Sequence, residues 1–131
     1  MTLPDHLRTA VRFAFGDSPQ LADSLLQLVL SGQKTATCGA LREYEAGDET
    51  MPEVGRRDVV LDGRGTPVCV IETLDVSIRH FIDVDESFAL AEGEGDFAAW
   101  RAGHIQFFSR NGGYDPQMKL VCERFRLVQV L

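Results

Sequence analysis

Apolar residues at Leu21, Leu25, Leu28 and Val29 recur at i, i+4, i+7 and i+8, the stripe of an amphipathic helix. Ser18 precedes the stripe as an N-cap, Pro19 takes the first helical position, and Gly32 stops it. Residues 4–15, with Leu7, Val11 and Phe15 at four-residue spacing, predict an earlier short helix that ends at Gly16. Beyond Gly32 the pattern becomes mostly strand-like. Strands are predicted over residues 58–61 and 67–78, joined by the Asp62-Gly63-Arg64-Gly65 turn, and a closing strand over 118–131. Between them lie one or two helical turns at 40–46, an acidic loop at 47–55 and a short helix at 83–91. Asp96 then caps a helix to about Arg110, with Phe97, Trp100, His104, Phe107 and Phe108 on one face.

One carboxylate disturbs the strand pattern. Alternate residues of a strand share a face. Over 67–78 one stripe reads Val68, Val70, Leu74, Val76 and Ile78, and Glu72 falls inside it. An unbroken alternation points Glu72 inward, where it needs a partner or a proton. A β-bulge would instead turn it to solvent. Glu123, between Val121 and Phe125, poses the same question.

Composition narrows the classes. The chain has 131 residues, 44% of them hydrophobic, which suits one globular domain. No apolar run is long enough to cross a bilayer, and residues 1–10 lack the apolar centre of a signal peptide. Three scattered cysteines without a CxxC pair favour a reducing cytoplasm over a disulfide framework or a zinc ribbon. A net charge of −7 argues against non-specific nucleic-acid binding. Six acids between Glu43 and Asp58 and six between Asp83 and Asp96 carry much of that charge, so a local basic cleft stays open.

The candidate chemistry centres on Ser31-Gly32-Gln33-Lys34-Thr35-Ala36-Thr37-Cys38. Lys34 is one of two lysines among 13 basic residues; the arginines stay protonated and cannot act as bases. Thr35 and Thr37 place hydroxyls within three residues of it. The structural alternative is a helix end closed by Gly32 and a threonine-rich strand. Desolvation lowers a lysine's pKa and a nearby carboxylate raises it, so their balance makes Lys34 a base or a cation. On a straight strand Lys34 and Thr37 would face opposite ways, so the chain must turn for them to converge.

Val29-Leu30-Ser31-Gly32-Gln33-Lys34-Thr35-Ala36-Thr37, then Pro67-Val68-Cys69-Val70-Ile71-Glu72-Thr73, then Glu92-Gly93-Glu94-Gly95-Asp96, Trp100-Arg101 and Val121-Cys122-Glu123-Arg124-Phe125 together resemble the ASCH domain family of the PUA-like superfamily. The resemblance runs from Leu21 onward. It implies an α+β fold, a small PUA-like β-barrel with flanking helices and a cleft beside the Gly-x-Lys turn, associated with RNA or modified nucleosides. Residues 1–131 would form one such domain, with 1–17 an N-terminal helical extension and 83–113 a helical insertion. Some members resemble amidohydrolases that deacetylate N-acetylcytidine through a lysine, a threonine three residues on and a later glutamate. Lys34, Thr37 and Glu72 match those positions. Other members resemble metal-assisted ribonucleases.

Two expectations follow. As a hydrolase, Thr37 is nucleophile or water-holder, Lys34 activates it and Glu72 relays protons. A divalent cation (Mn or Mg) is a cofactor only in the ribonuclease form, with Glu72 as its ligand. The alternative is a non-catalytic RNA- or nucleotide-binding module. Thr35, Arg42, Tyr44, Trp100, Ser109, Arg110 and Glu123 are the expected substrate-binding residues, Trp100 and Tyr44 as stacking platforms. The three histidines show no metal-ligand spacing, and His104 reads as a core or boundary residue between Trp100 and Phe108. The Glu92–Asp96 acids could ligate a cation through oxygen, but they read better as a solvated loop capping the next helix.

Overall fold

The computed structural model describes residues 3–131; the first two residues of the expected N-terminal extension lie outside the described residues. Among the described residues, and apart from 3₁₀ turns, four helices and five strands follow in the order β1 (Arg12–Phe13), α1 (Pro19–Leu30), β2 (Ala36–Ala40), α2 (Leu41–Glu45), β3 (Arg57–Leu61), β4 (Pro67–His80), α3 (Glu86–Ala91), α4 (Phe97–Arg110) and β5 (Lys119–Val130). The helix starts are set by side-chain caps. Ser18 Oγ accepts the Leu21 N–H at 3.1 Å, Asp85 accepts from Phe88 and Asp96 from Ala99. The short helix expected from residue 83 starts three residues later because Phe81–Asp83 form a separate 3₁₀ turn and Asp85 is the cap. No helix among the described residues is long and apolar enough to cross a membrane.

The sheet is built on the long antiparallel pair β4–β5. β3 adds antiparallel beyond β4, β2 antiparallel beyond β5, and β1 joins β3 in parallel, giving the order β1-β3-β4-β5-β2. The edges β1 and β2 do not pair, so the sheet stays open, and the expected closed barrel is corrected to an α+β open sheet. Closure needs edge strands long enough to tilt and stagger against each other. β1 has two residues and cannot supply that.

Residues 4–15 depart from expectation too. They form one 3₁₀ turn, Asp5–Leu7, and the two-residue β1 rather than a helix. A helix of that length is marginal on its own, and pairing with β3 satisfies the same backbone. Leu3 and Leu7 pack on Val59 and Val70, while Phe15 joins Leu25, Leu26 and Val29 of α1 against Val60, Cys69, Ile71 and Phe125. Adjacent Val59 and Val60 point to opposite faces, so the N-terminal segment and α1 cover opposite sides of the sheet. A third cluster packs Phe88 and Ala89 of α3 and Trp100 and Phe108 of α4 on Ala36, Ala40, Leu120 and Cys122.

β4 resolves the question of Glu72. Register shifts fall between Val70 and Ile71 and between Thr73 and Asp75, on both sides of it. Cys69, Val70 and Ile71 are buried in succession, while Leu74 and Ile78 are exposed. The inward stripe assumed from strict alternation is therefore broken by bulges.

The loop after α3 docks on the segment before β2. The Thr35 N–H donates to the Ala91 carbonyl at 2.7 Å. Gly93 has φ +76°, and a Cβ there would stand 2.6 Å from the Gln33 carbonyl oxygen. Gly93→Ala should therefore cost about 1–3 kcal/mol from the backbone conformation, with a further loss from the clash. Gly65→Ala, at φ +81° with nothing within 4 Å, should incur only the backbone part. Urea denaturation of the two variants checks the order, which equal midpoints would contradict.

Candidate functional site

Lys34 leaves α1 through its N–H, which donates to the Leu28 carbonyl, and the docked 91–94 loop closes over its side chain. It is 2% exposed. Its Nζ donates to Glu92 Oε1 at 3.1 Å, Glu94 Oε2 at 3.3 Å and the Glu92 main-chain oxygen at 3.4 Å. Those three contacts match the three protons of an ammonium. The Phe15 ring centroid lies 5.4 Å away. Burial alone would lower the Lys34 pKa, but the charges of Glu92 and Glu94 outweigh it and hold the group above its ordinary value. Lys34 is a cation here, not a base.

The second oxygen of Glu92 is the hub of the cluster. Oε2 accepts from Trp100 Nε1 at 2.7 Å and Cys38 Sγ at 3.2 Å, and His104 Nε2 stands 3.5 Å away. The His104 ring stacks on Trp100 with centroids 4.4 Å apart, and its Nδ1 lies 2.8 Å from the Trp100 carbonyl oxygen. Both ring nitrogens face oxygens, an arrangement that a doubly protonated ring satisfies. Burial opposes that charge, but Glu92 outweighs it and raises the His104 pKa. For Glu92 burial again works against the charge, and Lys34 first, then His104 and Trp100, bring its carboxyl below the usual range. Burial, then the Glu92 charge, pushes the Cys38 thiol well up, so it serves as a neutral donor.

This cluster forms one wall of a cavity of about 270 Å³. Phe15, Leu21, Leu25 and Phe107 form its apolar wall; Thr37, Cys38, Lys34, Glu92, Glu94, His104 and Arg110 its polar one. Arg110 is tied to Asp17 at 2.7 Å, with Asn111 also on that carboxylate. The Arg110 and Asn111 hydrogen bonds bring Asp17 down to about 2. Since Asp17 precedes α1 and Arg110 ends α4, the clamp ties together two sides of the rim.

Lys34, Thr37 and Arg110 are thus brought to one cavity, and the chain turns between Lys34 and β2 as their convergence required. Glu72 is not among its lining. It lies between its cross-strand neighbours Arg57, at 3.1 Å, and Arg126, at 3.3 Å, which lower its pKa. The expected pairing of Lys34 with Glu72 is corrected to Lys34 with Glu92 and Glu94, and Glu72 cannot hold an ion in this cavity. Glu123 is buried, accepts from Thr73 Oγ1 at 2.7 Å and is raised by burial, away from the cavity lining. Trp100 is core, stacked against Phe81, and offers its N–H to Glu92 rather than a face to a ligand. Tyr44 packs against Gly39, Arg42 donates to the Asn111 and Gly113 carbonyls, and Thr35 and Ser109 are exposed outside the lining.

Sequence reasoning read Glu92 and Glu94 as loop acids instead of partners of Lys34, and gave no site role to Cys38 or Phe15. The available signal was the need of a buried lysine for counter-charge, with Glu92 and Glu94 the acids just ahead of the Trp100–His104 face. His104, expected as a core or boundary residue, is largely buried and also borders the cavity.

Comparisons with known proteins agree with this architecture. An ASCH domain family model matches residues 11–129. Protein EF3133 from Enterococcus faecalis V583 is 37% identical over 99% of this chain and 79% of its own, with a TM-score of 0.84. An ASCH domain from Lactobacillus crispatus JV V101 is 35% identical over 89% of this chain and 78% of its own, at 0.82. A tyrosine-to-phenylalanine variant of ZmASCH from Zymomonas mobilis, 12% identical over 93% of this chain and 73% of its own, shares the fold at 0.55. No curated protein matches.

Removing one partner of a buried pair leaves an uncompensated charge, so Glu92→Gln should cost about 3–5 kcal/mol in urea denaturation. The pH dependence has a defined sign. The raised His104 pKa contributes stability that is fully present below 6.5 and lost as pH rises through the higher folded value. The lowered Glu92 pKa contributes stability present above 4.5 and lost as pH falls below it. His104→Gln should remove the decline above pH 6.5, which stability curves from pH 5 to 9 would check.

Proposed function

Because this chain belongs to the ASCH domain family, we propose that its Lys34 cavity holds a single nucleobase or nucleoside, free or splayed out of single-stranded RNA. The carrying observation is the division of the cavity wall. Phe107 and Phe15 offer apolar surface to the face of a ring, and Thr37, Glu92 and Glu94 line the polar side that a base edge would meet. The volume of about 270 Å³ lies near the lower bound of small-ligand pockets and suits one base rather than a run of them. Glu94, the more open carboxylate, favours a base with an exocyclic amine, as Glu favours the amine of cytosine. The net charge of −7 points the same way, toward recognition of one base instead of an electrostatic track along phosphates.

Hydrolysis is a second reading, favoured by the Thr37 hydroxyl sharing the cavity with Lys34 and the acids. In that form Lys34 stabilises developing negative charge as an ammonium, and Glu94, the more open carboxylate, exchanges protons with solvent.

Calorimetry with cytidine, N-acetylcytidine and short single-stranded RNA tests the binding reading. Phe107→Ala should weaken nucleoside binding by about 1–3 kcal/mol, roughly tenfold to a hundredfold, with little salt dependence. Equal affinity of wild type and Phe107→Ala, or no binding by either, would overturn it. Acetate release or RNA cleavage by the wild type, lost in Thr37→Val with binding retained, would establish the hydrolytic form.

A further inference from the structure

Cys38, Glu92 and His104 come from three separate stretches of chain: β2, the loop after α3, and α4. One ligating atom from each lies within 4.8 Å of the other two. The Cys38 Sγ to Glu92 Oε2 distance is 3.2 Å and the Glu92 Oε2 to His104 Nε2 distance is 3.5 Å. Those two separations are close to the edge of a tetrahedron around a zinc-sized ion, whose bonds run about 2.0–2.3 Å. We propose that these three side chains form a zinc-class site in the cavity wall.

Three further features fit such an ion. His104 already directs its Nδ1 at the Trp100 carbonyl, the second contact that orients an imidazole whose Nε2 binds metal. The Trp100 N–H likewise holds Glu92 in place through the same Oε2 oxygen. Mixed sulfur, nitrogen and oxygen donors select zinc over magnesium or calcium, which prefer oxygen. Binding the ion would release to solvent the Cys38 thiol proton and any proton on His104 Nε2, because a ligating thiolate and imidazole are both deprotonated at the ligand atom.

All three ligands border the cavity, so the remaining position of a four-coordinate ion falls to water or to a cavity ligand. Glu92 Oε1 stays with Lys34 throughout. The proposal stands apart from nucleobase binding, because the ion is measured without any nucleoside present.

The test uses the full chain, stripped with a chelator and titrated with Zn²⁺ by calorimetry and with Co²⁺ by absorption. One equivalent should bind, and cobalt should show a thiolate-to-metal charge-transfer band. Cys38→Ser should abolish that band and Cys69→Ala should retain it. His104→Gln should weaken zinc by more than the roughly 10–100-fold that follows loss of an orienting partner. X-ray absorption of the zinc-loaded wild type needs no variant and should show one sulfur at about 2.3 Å with nitrogen and oxygen at about 2.0–2.2 Å. A zinc shell of oxygen and nitrogen alone, absence of the cobalt band, or affinity unchanged in His104→Gln would overturn the site.

Discussion

A lysine ammonium shut away from water constrains everything around it. An isolated buried charge is unaffordable by several kcal/mol, so Lys34 needs opposite charge and a full set of acceptors. Glu92 and Glu94 supply both, and they can do so only because the loop after α3 lies flat on the segment before β2. That contact in turn demands Gly93, where any side chain would meet the Gln33 carbonyl. One ion pair thus joins the end of α1, the start of β2 and the entry to α4.

The same pairing limits the chemistry. A lysine fixed between two carboxylates holds its proton, so it acts by charge and geometry rather than by taking protons. Glu92 is shared further, by Trp100, Cys38 and His104, and so carries the polar wall of the cavity. Glu94 is the more open of the two acids. A site of this kind arrives preorganised, because its side chains are already held by one another before any ligand enters.

The sheet serves this arrangement indirectly. β5 presents Cys122 and Leu120 beneath α3 and α4, and β2, paired to β5, brings Thr37 and Cys38 to the cavity. The bulges in β4 turn Glu72 toward Arg57 and Arg126, where it joins three strands by ion pairs outside the lining of the Lys34 cavity. An open sheet with α1 and α4 flanking the cavity does what a barrel mouth was expected to do.

Local signals decided much of this protein by themselves. Ser18-Pro19, Asp96 and the Leu21–Val29 stripe set α1 and α4, because caps and amphipathic period act within a few residues. The Gly-x-Lys segment marked Lys34 as the residue to watch, and it does line the cavity. Which acid faces that lysine was beyond such signals. Period-two alternation is lost at a bulge, so the direction of Glu72 depended on the register of β4 against its neighbours. Glu92 lies 58 residues from Lys34 in the chain, and only the docking of one loop on another brings them to 3.1 Å. The open edges, the missing first helix and the partners of His104 belong with these, since each is settled by packing between distant segments, whose energies no short window of sequence contains.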